Sequence, residues 1–206
     1  MSLEQELADF CDVADRLYDR GYTHGSTGNL SVRIGDRIFV TPTGRPLKGL
    51  TPASLAEIDV DGKSRTEIKP SKEVPFHLAV YRQRPDARAV VHLHSFYSVA
   101  LSCLADLDVA RPLPAITPYY FMRVAPLGVV PYFKPGSGDL AEAIEQAAGA
   151  HHCLLLRNHG SVCAGTSLSE ASDRAEELEA TARLYFQLTG RALQELTPAQ
   201  IAALRS

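Results

Sequence analysis

Two histidines, His92 and His94, close the apolar run Ala89-Val90-Val91-His92-Leu93-His94. In an extended strand, residues two apart share a face, so both imidazoles project from one side of a sheet while Leu93 points the other way. Imidazole nitrogen suits zinc and other borderline divalent cations, and three such ligands leave a coordination position open for substrate, as a catalytic site requires. The pair alone reads equally well as two hydrogen-bonded histidines in a half-buried strand. His159 tips the balance: it follows the apolar run Leu154-Leu155-Leu156 and precedes Gly160, where a tight turn presents it at a sheet edge. Glu73, in Pro70-Ser71-Lys72-Glu73, is the carboxylate of the set, although acids in the first turn of a helix also serve simply to oppose its dipole. His24 in a polar loop, His77 on a helix, and His151 and His152 before a strand stay outside the metal set.

A second kind of chemistry is suggested by three short segments. Gly25-Ser26-Thr27-Gly28-Asn29 combines hydroxyls, an amide and glycines that let backbone N–H groups approach an oxyanion. Thr41-Pro42-Thr43-Gly44 repeats that composition after a strand, and Ser71-Lys72 adds a hydroxyl, a helix start and a cation. Each segment alone is an ordinary turn or cap. Only their coincidence points to a phosphate cradle.

The elements that must position these residues follow from periodicity. Leu3, Leu7, Phe10, Ala14 and Leu17 mark one face of an N-terminal helix that Gly21 ends. Asn29 to Ile34 and Arg37 to Val40 read as strands around a Gly35-Asp36 hairpin turn. From residue 71 helix and strand alternate. A helix to about Arg84 stops at Pro85, a buried strand spans Ala89 to His94, and Ser95 to Ala105 is helical. A strand near Val129 to Phe133, a helix near Gly138 to Ala148, the strand Cys153 to Arg157 and a long helix from about Ser169 to Leu188 complete the order. The pattern predicts an α/β sandwich with a mixed sheet. The proline-rich stretch Arg111 to Pro135, with Tyr119-Tyr120-Phe121, reads as an irregular excursion, and Thr197-Pro198 as a short helix start.

Composition narrows the partners. With 206 residues, 45% of them apolar, and no linker or repeat, one globular domain over residues 1–206 is expected. A net charge of −3 supplies no positive field for nucleic acid or an anionic membrane surface. The amino terminus lacks the basic and apolar regions of a signal peptide, which points to a cytoplasmic protein. The four cysteines, with no CxxC, read as reduced core thiols.

Taken in order, the motifs GSTGNLS, TPTG, PSKE, HLH and NHG resemble the class II aldolase/adducin-head family over roughly residues 7 to 190. The resemblance implies a three-layer α/β/α sandwich with a mixed central sheet, and a cyclic homotetramer with active sites between neighbouring subunits. It assigns one divalent metal per subunit, zinc or alternatively manganese or cobalt, to His92, His94 and His159, and the acid/base role to Glu73. Ser26, Asn29, Thr43, Gly44, Ser71 and Lys72 fall where the family binds substrate phosphate.

One departure is informative: Lys72 stands where the family's sugar-phosphate aldolases commonly carry a second serine. Together with the segments 117–123 and 131–136, it resembles the branch that decarboxylates 3-oxo-tetronate 4-phosphates. The implied reaction releases carbon dioxide and dihydroxyacetone phosphate through a metal-stabilised enediolate. The alternatives on the same scaffold are a fuculose-phosphate-like aldolase, an epimerase or a dehydratase, and the non-enzymatic alternative is an adducin-like interaction domain. Retro-aldol cleavage needs a further acid/base near the departing aldehyde, a role open to Tyr119 or Tyr120, which read equally well as aromatic interface contacts. Arg123 reads either as a carboxylate fork or as the partner of a surface acid.

Overall fold

A computed structural model describes residues 2–204 of the chain. The amphipathic face read from the sequence forms α1 (Leu3–Asp19), capped by the Ser2 side chain and burying Leu7, Phe10, Ala14 and Leu17. β1 (Asn29–Ile34) and β2 (Arg37–Val40) form the expected hairpin, with Ile34 opposite Arg37 across Gly35-Asp36. After β3 (Ala56–Asp59) come α2 (Val74–Gln83), β4 (Ala89–Leu93), α3 (Phe96–Ser102), α4 (Pro118–Arg123) and β5 (Leu127–Val130). α5 (Gly138–Ala148), β6 (Cys153–Leu156), β7 (Gly160–Gly165), α6 (Leu168–Gln187) and α7 (Pro198–Ala203) complete the described chain.

The seven strands form one sheet in the order β3-β2-β1-β4-β7-β6-β5. Every pair is antiparallel except β5 with β6, so the sheet is mixed. Strand alternation divides the core between two faces. Val91 and Leu93 of β4 join a cluster with α1 and α6, whereas Val90 packs with side chains of α2 and α5. Burying side chains such as Phe10, Leu17 and Ile144 contributes roughly 1.5–3 kcal/mol each, which holds the helical layers against the sheet.

Several boundaries differ from the sequence reading. β5 lies at 127–130 rather than 129–133, because Pro131 cannot continue the ladder. α2 starts at Val74, after a turn over 71–73, and α3 ends at Ser102. The excursion 111–135 contains α4, started by a Thr117 side-chain cap and Pro118. β3 and β7 were not anticipated; β7, Gly-Ser-Val-Cys-Ala-Gly, has too few bulky residues to signal a strand. Of the cysteines, Cys11, Cys153 and Cys163 are buried thiols, but Cys103, at the end of α3, is exposed rather than in the core.

The topology gathers one end of the sheet. β1 and β7 start there, and β2, β4, β5 and β6 end there, because Asn29 pairs with His92, Ser31 with Val40, Leu93 with Ser161, Leu156 with Gly160 and Val130 with Leu156.

Candidate metal and acid/base site

Glu73 is the N-cap residue of α2. Its side chain makes no capping bond, so the carboxylate is free to turn inward; it is only 4% exposed. Its own N–H donates to Ser71 Oγ at 3.3 Å, and the neighbouring Val74 N–H to the Ser71 carbonyl at 3.2 Å, which fixes the turn ahead of the helix. Its Oε2 lies 3.2 Å from His92 Nε2 and its Oε1 3.3 Å from His159 Nε2.

His92 is fully buried on β4. Its Nδ1 sits 2.8 Å from the Ser161 carbonyl, an acceptor only, so Nδ1 carries the proton and Nε2 presents a lone pair. That lone pair lies 2.9 Å from His94 Nε2. His94 falls one residue beyond the end of β4 yet keeps the strand's facing, and its ring centroid is 4.8 Å from those of both His92 and His159.

His159 arrives by a tighter route. In the three-residue connection between β6 and β7, Asn158 takes φ 54°, a left-handed conformation its short polar side chain tolerates. Gly160 then passes so close to β4 that a Cβ there would lie 2.3 Å from the Leu93 carbonyl oxygen. Only glycine permits that approach, and the approach presses His159 against the end of β4.

One ligand atom from each of Glu73, His92, His94 and His159 thus lies within 4.8 Å of the others. So many lone pairs converging in a buried space repel one another unless a cation sits among them, and the nitrogen-rich donor set fits a zinc-like divalent ion. Burial opposes ionisation of Glu73, but when a proton takes the place of a cation at His92 Nε2 the attraction of that ring, with hydrogen bonds from His159, from the same protonated His92 and from Asn29, outweighs it. They hold the carboxyl well below its usual range. His94 is pushed down to about 3 by burial and by its neighbours His92 and His159, so at neutral pH it offers a free nitrogen.

The three hydroxyl- and glycine-rich segments converge at this end of the sheet. The bridge between Pro42 and Pro70, with Thr43 N–H to the Lys69 carbonyl and Ser71 N–H to the Thr41 carbonyl, lays 41–44 alongside 69–72. Ser26 and Gly44 are exposed, Thr43 is half-buried and Ser71 is buried. The loop before β1 is pinned at Gly28, where a Cβ would lie 3.0 Å from the His92 carbonyl oxygen. Lys72 is exposed, and its stem lies over Gly136, where a Cβ would be 3.5 Å from its Cγ.

Asn29 is placed differently from the other cradle residues: its buried side chain donates to Glu73 Oε2 at 2.8 Å and its oxygen meets His77 Nε2 at 2.6 Å. Only one amide N–H remains for a substrate. Tyr119 is exposed, whereas Tyr120 is buried in the core cluster with α1 and α6. Arg123 pairs with Asp173 at 3.1 Å and lies over the Tyr119 ring.

His77 is the residue that sequence reading passed over. The signal lay in spacing: Glu73, His77 and Tyr81 recur every four residues, a polar stripe on a helix that is otherwise almost entirely buried.

Comparison with known proteins decides the family. The family described as Class II Aldolase and Adducin N-terminal domain matches residues 8–186. The chain belongs to that family. It is 46% identical over 191 residues to a 3-oxo-tetronate 4-phosphate decarboxylase of Haemophilus influenzae, covering 92% of this chain and 91% of the relative. It is 39% identical to an L-fuculose phosphate aldolase of Methanocaldococcus jannaschii, over 85% of this chain and 92% of that one. Among solved structures, YgbL of Escherichia coli, described as a putative aldolase/epimerase/decarboxylase, superposes with a TM-score of 0.96 at 43% identity, with complete coverage of both chains. The class II aldolase fold expected from the motifs is therefore the fold observed.

Proposed function

We propose that this family member decarboxylates a 3-oxo-tetronate 4-phosphate to dihydroxyacetone phosphate and carbon dioxide. The observation that carries the reading is the convergence of the Glu73 carboxylate on His92, His94 and His159, with the exposed Lys72 the residue next to Glu73. The relatives sharing 43–46% identity and named for this decarboxylation support it.

His92, His94 and His159 would hold a divalent cation, zinc first and manganese or cobalt as alternatives. When bound, that cation supplies positive charge at the substrate's 3-oxo oxygen, which draws the electrons left by departing carbon dioxide. Ser26, Thr43, Gly44 and Ser71 offer hydroxyls and backbone N–H groups to the 4-phosphate, and Lys72 offers a cation beside them. Held ionised, Glu73 acts first as a base. It delivers to C2 only a proton it has already accepted, and the net proton consumed comes from water.

A homotetramer with sites between neighbouring subunits belongs to the same reading. Exposed Phe96, Tyr119, Met122 and Tyr132 supply the apolar surface such contacts would cover. In that assembly Tyr119 would stand near a neighbour's site, as a substrate contact or acid/base group.

The test is incubation of purified protein, with zinc or manganese restored, with 3-oxo-tetronate 4-phosphate and with ketose 1-phosphates. Carbon dioxide and dihydroxyacetone phosphate from the first substrate are the expected result. Aldehyde release from the second without carbon dioxide from the first would reject the assignment in favour of an aldolase.

A further inference from the structure

Behind Glu73 the structure continues into the interior between β1 and α2. Asn29 and Ser31 are two residues apart on β1 and so share a face, while Glu73, His77 and Tyr81 stand on successive turns of α2. A two-residue step along a strand covers about 6.8 Å and a four-residue step along a helix about 6 Å, so the two rows stay in step over this length. They interlock. Asn29 bridges Glu73 and His77, and Ser31 bridges His77 and Tyr81, its Oγ lying 2.8 Å from His77 Nδ1 and 2.8 Å from the Tyr81 hydroxyl. His77 is fully buried, as is Ser31, and Tyr81 is 4% exposed.

The donors in this chain can be oriented in only one way. An ionised Glu73 accepts only, so Asn29 turns its NH₂ toward Oε2 and its carbonyl oxygen toward His77. That oxygen also accepts only, so His77 Nε2 carries the ring proton and a neutral ring leaves Nδ1 bare. Ser31 must then donate to Nδ1 and accept from Tyr81. Reversing any one link sets two acceptors or two donors face to face in a dry interior, at the cost of an unsatisfied buried group.

We propose that His77, acting through Asn29 and backed by Ser31 and Tyr81, is a positioning residue for Glu73. It fixes the amide so that Oε2 is anchored and Oε1, which faces His159, is the oxygen that exchanges a proton with substrate. The inference rests on reading Glu73 as the acid/base group of the site. It extends that reading to residues that touch neither the substrate nor the proposed metal ligands by hydrogen bond.

The experiment compares His77→Leu and His77→Gln in metal-loaded protein, on whichever substrate is turned over. Leucine fills the space but removes the donor to Asn29, and kcat should fall about 10- to 100-fold with KM and bound metal nearly unchanged. Glutamine restores an N–H and should recover most of kcat, which a mere packing role would not predict. Equal losses in the two variants would overturn the proposal. Should His77→Leu fail to fold, Tyr81→Phe removes only the terminal hydroxyl and should lower kcat a few-fold; unchanged kcat there counts against the relay. Nitrogen-15 spectra of histidine-labelled wild-type protein give a readout independent of turnover. His77 protonated at Nε2 supports the relay even if the decarboxylase assignment fails, and protonation at Nδ1 overturns it even if that assignment holds.

Discussion

Asn29 of β1 stands directly opposite His92 of β4 in the antiparallel ladder. The amide that grips the Glu73 carboxylate and a histidine that faces the same carboxylate therefore share one rung of the sheet. A slip of one residue in that pairing would turn one of the two side chains to the other face, so the register that builds the core also builds the site.

Glu73→Gln keeps the shape and the hydrogen-bonding reach of the side chain but removes its ability to accept and return a proton. Decarboxylation should slow by about 10²- to 10⁴-fold, with metal content close to that of the parent. The rate of carbon dioxide release beside atomic absorption of the same samples checks this, and a rate within a few-fold of the parent would remove Glu73 from the proton's path.

His92→Ala takes away a fully buried ligand whose Nδ1 is already committed to the Ser161 carbonyl. The protein should lose its metal and its activity while its far-ultraviolet circular dichroism stays near that of the parent, because the change leaves the ladder's backbone pairing in place. Full activity in a metal-free His92→Ala protein is incompatible with the proposed mechanism.

Lys72→Ser restores the hydroxyl common in the aldolases of this family at a position seated over Gly136. A lost charge-assisted contact should weaken productive use of 3-oxo-tetronate 4-phosphate, lowering kcat/KM about 10- to 100-fold. Metal binding should be unaffected. Steady-state kinetics with that substrate and with a ketose 1-phosphate will show whether the loss is particular to the sugar acid.

Gly160→Ala sets a methyl group against the Leu93 carbonyl oxygen, which is backbone and cannot swing aside. A destabilisation of about 1–3 kcal/mol is expected, together with displacement of His159 and weaker metal binding. A calorimetric melting temperature unchanged from the parent would contradict the packing described here.

His77 gives the stability a pH dependence of known sign. Burial, and after it the nearby His92, pushes its folded-state pKa down to about 3, against about 6.5 in an unfolded chain. Between those values the unfolded chain binds the proton first. This contribution is therefore complete above about pH 6.5 and is lost as the pH falls toward 3, at roughly 1.4 kcal/mol per unit. His94, also pushed down to about 3, adds a similar slope to both proteins being compared. In metal-free samples, melting temperatures of wild type should therefore fall more steeply than those of His77→Gln between about pH 6 and pH 4. Parallel curves would show that His77 does not titrate as a buried neutral ring.

Much of this was legible in the sequence because it depends on short-range periodicity. The two-residue step at His92 and His94, the hairpin at Gly35-Asp36 and the stripe on α1 each report their own geometry. The site was legible where identity and spacing coincide, as in HLH and NHG. What escaped depends on distant partners. β7 is a strand because β4 and β6 flank it, not because Gly160-Ser161-Val162-Cys163-Ala164-Gly165 prefers one. That the Asn29 amide also turns inward to Glu73 was not legible, because its partner lies 44 residues later. His77 looked like an ordinary helical residue until β1 was laid beside it.

The four metal-facing residues enter from the start of α2, the end of β4 and the turn between β6 and β7, and no two of these are brought together by local structure alone. A nascent chain ending before residue 159 has the HLH pair but lacks the closing imidazole, and a collapsed chain with the β4–β7 ladder unformed leaves His159 unplaced beside that pair. Tight capture of the ion would therefore act as a late quality check on assembly, since only a chain whose last strands have docked can retain it.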